Sequence, residues 1–306
     1  MRFENYHPVI NLIYFLAVMV STVLFTHPWY VGVSFACAFV YSVKLCGKKA
    51  LILNCVLSIL TLPWAWWYSF YNHFGITPLR QNFIGNSITL EAAVYGFVIG
   101  VTFVSVLMWF ECLHAVMSTD KWVYLLGRIS PKASLFLSIL LRTVPRIKAR
   151  FKKTDAAQSS IGRGAGQGNV LIRMMNTFRE ASIVLTWSLE NFIEVSESMK
   201  SRGYTLRGRT SFSLYRFDNR DRLFILALFS CLGVLCMAFI LDQTAIQYDP
   251  EIIFNRMTFA SYIFYLVHAV FCLMPMGVQI VGEARFRASR SRSAAKGSTV
   301  STVGGD

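Results

Sequence analysis

The sequence predicts an all-α fold: a polytopic integral membrane protein with about six transmembrane helices plus long cytoplasmic amphipathic coupling helices. Three observations carry this. Of 306 residues, 55% are hydrophobic and only 15% charged, whereas a soluble domain carries about 25% charged residues. Apolar runs near the ~20 residues needed to cross a bilayer recur six times. The Lys and Arg residues then collect in every second connection between those runs, as the positive-inside rule requires.

The first run is Val9 to Thr26, ended by His27-Pro28, and the second is Trp29 to Leu45, ended by Lys44, Lys48 and Lys49. Arg2 is followed by acidic Glu4, and no small-residue cleavage site precedes Pro28, so a crossing is expected here rather than a signal peptide. The third run, Ala50 to Tyr68, ends in Trp64, Trp66, Trp67 and Tyr68, the composition of an interfacial aromatic belt. A polar loop with Asn72, Gly75, Pro78 and Arg80 leads to the fourth, Ile88 to Met117, which carries Glu91 and Glu111 near its ends. The fifth is Leu223 to Leu241. A loop with Asp242, Asp249, Pro250 and Glu251 leads to the sixth, Thr258 to Val281. The expected organisation is therefore 1–117 (four crossings), 118–222 (a cytoplasmic region), 223–281 (two crossings) and 282–306, a basic tail expected to be disordered.

With both termini placed in the cytoplasm, the inner segments hold 28 of the 30 Lys and Arg residues, and only Arg80 and Arg256 fall outside. The net charge of +14 is thus a topology signal, and no nucleic-acid partner is inferred from it. The seven cysteines sit in or beside apolar stretches without CxxC spacing, which predicts neither a disulfide framework nor a zinc site. Glu111 and His114 share a helix face, but a carboxylate-bridged metal centre needs two such pairs and more carboxylates. No metal, cofactor or catalytic residue is predicted.

Region 118–222 contains 19 Lys or Arg against 8 Asp or Glu, and its one apolar run, Ala133 to Leu141, is too short to span. Ser130-Pro131 is a helix start signal. The helix it opens has an apolar stripe through Leu137, Leu140, Leu141, Val144, Ile147 and Phe151. It contains Pro145, which predicts a kink, and fades at Gln158-Ser159-Ser160. Glycine at 162, 164, 166 and 168 then forbids a stable helix. The stretch lacks the Lys-Ser/Thr ending of a phosphate loop, and no strand precedes it, so a flexible joint is expected. A second helix runs from Asn169 to Arg202, with Leu171, Met175, Phe178, Leu185, Leu189 and Phe192 on one stripe. Gly203 stops it. Arg202, in the last turn, complements the helix dipole on physics alone, and the basic surface would equally suit anionic lipid headgroups.

Ser198-Met199-Lys200-Ser201-Arg202-Gly203-Tyr204, with Arg209-Thr210 downstream, resembles the second coupling motif, A-M-E-A-R-G-Y, of the transmembrane T component of energy-coupling factor (ECF) transporters. Glu194 also matches a position of that family. The first motif of the family, Arg-x-Ile-Pro leading to Ala-Gln-x-Ala-Arg-Gly, is similar to Arg142-Thr143-Val144-Pro145 followed by Ala157-Gln158-Ser159-Ser160-Ile161-Gly162. Ser201 replaces the motif alanine, Lys200 the usual acid, and Ile161 the first arginine, with Arg163 two residues on.

The resemblance implies a non-catalytic subunit of an ABC-type importer in a prokaryotic plasma membrane. Its partners would be two ABC ATPase subunits, which hydrolyse ATP, and a membrane-embedded S component, which binds the vitamin or transition-metal ion. It implies that Ser201, Arg202, Gly203, Tyr204, Glu194 and Met199, with Gln158, Ser160, Ile161, Gly162 and Arg163, form the ATPase-coupling interface. The alternatives are a self-sufficient secondary transporter, or a membrane scaffold or enzyme with a lipid-binding basic region.

Overall fold

The computed structural model describes residues 3–72, 74–81, 87–204, 206, 215, 217–249, 252–253 and 258–303. His73, Arg209, Thr210, Pro250, Glu251 and Arg256 lie outside the described residues. The chain is all-α apart from short β pieces. A 3-10 turn, Phe3–Asn5, precedes α1 (Pro8–Leu24), α2 (Pro28–Cys46), α3 (Lys48–Tyr71), β1 (Pro78–Gln81), β2 (Ser87–Thr89), α4 (Leu90–Val116), α5 (Thr119–Ile129), α6 (Pro131–Ser160), α7 (Val170–Ser201), α8 (Asn219–Ile240) and α9 (Phe259–Val303).

Five of these helices are long and apolar enough to cross a membrane: α2, α3, α4, α8 and the Phe259–Ala288 part of α9. The sixth predicted crossing, α1, is a shorter apolar helix of 17 residues. His7 and His27 cap α1 and α2 by accepting from the N–H groups of Val9 (3.3 Å) and Trp29 (3.2 Å), each with proline at the first helical position. One expectation is corrected. The polar loop after α3 folds as the antiparallel hairpin β1–β2, and Glu91 latches it by accepting from the Thr77 N–H (3.3 Å) and hydroxyl. Helix α9 continues past the last crossing as far as Val303.

Two compact units divide the chain: Met1–Ser118 with Tyr215–Asp306, and Thr119–Leu214. In the first unit, α4 is the central element and packs on α1, α2 and α3. Its Trp109 is fully buried and donates to Ser34 Oγ of α2 (3.0 Å), which also bonds Thr22 Oγ1 of α1 (2.7 Å). Tyr14 of α1 donates to the carbonyl of Phe271 in α9 (3.1 Å). Gly96 and Gly100 of α4 form a small-xxx-small face that brings the α3 and α4 backbones together. A Cβ at Gly96 would lie 2.8 Å from the Cβ of Tyr68, and one at Gly100 would lie 3.1 Å from Trp64 Cδ1. The aromatic cluster of α3 divides accordingly: Tyr68 packs on Gly96, while Trp64, Trp66 and Trp67 stay exposed, where a lipid interface would meet them.

Segments expected on one side of the membrane also meet. Lys44 of α2 pairs with Glu283 of α9 (3.7 Å), and Ser42 donates to Glu111 of α4 (2.8 Å). At the other end, the His27 N–H bonds the Thr244 carbonyl (3.0 Å), and the Tyr248 hydroxyl bonds the Thr26 carbonyl (3.1 Å).

Candidate coupling interface

The second unit consists of α5, α6, α7 and their connections. Helix α5 is an element not anticipated from the sequence. Its signal was present, since Trp122, Leu125, Leu126 and Ile129 recur at i, i+3, i+4 and i+7. Ser134 of α6 donates to the Val123 carbonyl and ties the two helices together (2.9 Å). Helix α6 starts at the predicted Ser130-Pro131 cap and continues through Pro145 to Ser160. Helix α7 is capped by Asn169, whose side chain accepts from the Val170 N–H (3.0 Å). Its 32 residues span about 48 Å at 1.5 Å each.

Both long helices end in the same backbone construction. At the end of α7, the Tyr204 N–H bonds the Met199 carbonyl (3.2 Å), and the Gly203 N–H bonds the Lys200 carbonyl (3.0 Å). At the end of α6, the Arg163 N–H bonds the Gln158 carbonyl (2.9 Å), and the Gly162 N–H bonds the Ser159 carbonyl (3.1 Å). Each is a complete Schellman motif, with its 6→1 and 5→2 bonds. Gly203 (φ +77°) and Gly162 (φ +75°) hold the left-handed position, which costs glycine no steric energy. Even the preceding serines match, for Ser201 Oγ donates to the Ser198 carbonyl (2.9 Å) and Ser160 Oγ to the Ala157 carbonyl (2.7 Å).

These bonds align the two ends residue by residue. Met199 corresponds to Gln158, Ser201 to Ser160, Arg202 to Ile161, Gly203 to Gly162, and Tyr204 to Arg163. Arg163 therefore stands in the place of Tyr204 and does not take over the place of Arg202. Ser160, Ser201, Arg163, Arg202, Tyr204 and Glu194 are exposed, as is Ile161, at 68%. Met199 and Gln158 are half-buried.

The glycine-rich joint is not the loose linker that its composition predicts. Ala165 N–H donates to Asp155 Oδ1 (3.1 Å), and Gly164 N–H donates to Gln167 Oε1 (3.2 Å). The Gln167 side chain donates to the Ser159 carbonyl (3.2 Å), and Asn176 of α7 donates to the Gly164 carbonyl (3.2 Å). Backbone groups freed by the absence of helix thus find side-chain partners on both flanking helices.

The buried face of α7 is the reverse of what its hydropathy suggests. Asn176, Glu180, Val184 and Ser188, spaced by four, are buried. Phe178, Leu185 and Leu189 of the apolar stripe are 66%, 62% and 56% exposed. The small and polar side chains allow close approach to α6, and Arg150 of α6 lies over the Trp187 ring at 4.9 Å, a cation–π contact. Glu180 is the costly member of this face. The nearby Ala165 N–H goes to Asp155, and neither carboxylate oxygen of Glu180 has a hydrogen-bond partner. Burial, and then the Asp155 charge, push the Glu180 carboxyl above the usual carboxylate range.

Among the described residues, no group of three or more His, Cys, Asp or Glu side chains is placed to hold a metal ion. No family model matches this chain, and no curated protein matches it.

Proposed function

We propose that this chain is the energy-coupling transmembrane subunit of an ECF-type ABC importer. It would cross a prokaryotic plasma membrane six times with both termini in the cytoplasm. Two ABC ATPases would hydrolyse ATP, and a separate membrane-embedded S component would bind the vitamin or transition-metal ion. The observation that carries the reading is the matched pair of exposed helix ends at Gly162 and Gly203, which coincide with the two segments that resemble the coupling motifs of that family.

The chemistry suits the task. A Schellman end satisfies two of the last four carbonyls of the helix, so fewer acceptors are left unpaired when the tip enters a partner's groove. Arg202 at the tip of α7 offers a rigid donor fork for carboxylates or carbonyls. A helix about 48 Å long, tied to α6 through a stitched turn, transmits displacement rather than absorbing it. The exposed stripe of α7 supplies apolar area for a membrane-embedded partner.

The test is Arg202→Glu in the full complex. The expected result is loss of ATPase subunits on co-purification or loss of uptake, with the chain itself still monodisperse in detergent. Unchanged assembly and uptake would sink the proposal. The exposed stripe, beside Arg173 and Arg179, favours one second reading, a scaffold lying on anionic lipid. Salt-sensitive binding to vesicles of anionic lipid, with no ATPase bound, marks that outcome.

A further inference from the structure

We propose that the ends of α2 and α9 and the start of α3 form a headgroup site for an anionic phospholipid carrying two phosphates, a diphosphatidylglycerol. The site rests on the membrane-spanning character of these three helices and is independent of the coupling reading.

Two contacts fix how α2 and α9 run. The Tyr30 ring lies 5.0 Å from that of His268, and Lys44 pairs with Glu283 at 3.7 Å. The intervals Tyr30–Lys44 and His268–Glu283 differ by a single residue, so the two helices are parallel and nearly in step. Glu283, Arg287 and Arg290 share one face of α9, since residues three and four apart on a helix are neighbours. At ~1.5 Å per residue, Arg287 stands about 6 Å and Arg290 about 10 Å beyond the Lys44–Glu283 pair. Helix α2 stops at Cys46 and the chain turns through Gly47 into α3, which puts Lys48 and Lys49 close to that level. A Cβ on Gly47 would meet no atom within 4 Å, so the turn is open to its surroundings.

Lys48, Lys49, Arg287 and Arg290 are exposed, and among the described residues none of them forms an ion pair. The nearby carboxylates are engaged elsewhere. Glu283 holds Lys44, Glu111 accepts from Ser42, and Glu4 lies near the buried Tyr41. Arg285 belongs to the other side of α9, near Tyr6 and Arg220. Four cations are thus left in two pairs, one on the turn and one on α9, and the members of each pair repel one another. A phosphate bound at each pair relieves that repulsion. The pairs stand where three apolar helices leave the hydrocarbon layer, at the depth of lipid headgroups. Basic clusters between helix ends at that depth recognise anionic headgroups, and the arginine fork matches phosphate oxygens. Two cation pairs on separate elements fit the two phosphates of one headgroup, whereas a phosphatidylglycerol headgroup fills only one pair.

The experiment uses the full chain, freed of lipid in non-ionic detergent and titrated with tetraoleoyl cardiolipin, dioleoyl phosphatidylglycerol, dioleoyl phosphatidylcholine or inorganic pyrophosphate. Native mass spectrometry reads bound lipid, and thermal unfolding reads stabilisation. The expected result is one cardiolipin retained per chain, held at least about tenfold more tightly than phosphatidylglycerol, with no binding of phosphatidylcholine. Lys48→Gln/Lys49→Gln and Arg287→Gln/Arg290→Gln are each expected to weaken cardiolipin at least about tenfold, while Lys48→Arg/Lys49→Arg keeps it. Changing Arg146, Lys148, Lys152 and Lys153 of α6 to Gln removes four exposed cations elsewhere and is expected to leave the affinity unchanged. An equal loss in that control marks diffuse surface charge and overturns the proposal. So does equal affinity for phosphatidylglycerol, or a pyrophosphate shift as large as that of cardiolipin, which marks a site for free phosphate. Each of these outcomes leaves the coupling reading standing, because Arg202→Glu is scored on ATPase retention and not on lipid.

Discussion

Arg202 and Ile161 occupy the same position in two helix ends: each is the residue just before a left-handed glycine that closes a Schellman turn. The equivalence is of backbone, not of side-chain chemistry, so the two can be perturbed separately.

The backbone half is tested by Gly203→Ala. The left-handed conformation costs a residue with a Cβ about 1–2 kcal/mol. The last turn of α7 is expected to fray, and the Tyr204 amide, bonded to the Met199 carbonyl, to exchange about 5–30-fold faster. Hydrogen exchange read by mass spectrometry checks this. Unchanged protection at Tyr204 would contradict the positive φ. Gly162→Ala is expected to do the same at the Arg163 amide.

Buried Glu180, beside the half-buried Asp155, makes the second unit sensitive to pH. On α6 the group facing Glu180 is Asp155, on the connecting turn it is the Ala165 N–H, and on α7 itself the neighbouring polar group is Asn176. Among the described residues, no Lys or Arg forms an ion pair with either carboxyl. Because burial raises the folded-state pKa of Glu180 above its unfolded value of about 4.3, the folded state holds the proton more tightly. That stabilisation is complete below the unfolded pKa and is lost as pH rises through the folded pKa. Glu180→Gln is neutral throughout. It is therefore expected to gain thermal stability relative to wild type as pH is raised from about 4.5 to 8. A stability difference that stays flat over that range would show that Glu180 titrates normally.

The inverted face of α7 predicts opposite outcomes at two of its positions. Ser188→Leu inserts bulk where α7 meets α6 and is expected to destabilise the protein by about 1–3 kcal/mol. Phe178→Ser, on the exposed stripe, is expected to change the isolated chain by no more than about 0.5 kcal/mol. Denaturation in detergent micelles measures both. If Phe178→Ser is the more damaging, the stripe is packed rather than exposed.

Gly96→Leu probes the seam between α3 and α4. The new Cβ would press on the Cβ of Tyr68, an atom that cannot move without its backbone. Overpacking of this kind costs about 1–3 kcal/mol. A cysteine pair across α3 and α4 that crosslinks in wild type is expected to crosslink markedly less in the variant.

Hydropathy, caps and glycines let the sequence alone determine the long helices, the turn between α6 and α7, and where those two helices stop. These are local properties: a run of apolar residues, Ser130 before Pro131, Asn169 before Val170, Gly162 and Gly203 after the last turns. Each acts through neighbours a few residues away, so no partner need be known. Helix α5, not anticipated from the sequence, carries the same kind of local signal in Trp122, Leu125, Leu126 and Ile129. What only the tertiary structure decided is which face each helix buries and which groups meet. Composition nominates the Leu, Met and Phe stripe of α7 as its packing face. The face chosen is instead Asn176, Glu180, Val184 and Ser188: Val184 and Ser188 are small enough for close approach to α6, and the connecting turn supplies a hydrogen-bond acceptor for Asn176. The register of Arg163 was likewise hidden, since one residue's slip in a glycine-rich stretch changes little in sequence but decides which carbonyl its N–H reaches. In the structure that carbonyl belongs to Gln158, which puts Arg163 opposite Tyr204 and leaves Arg202 matched by Ile161.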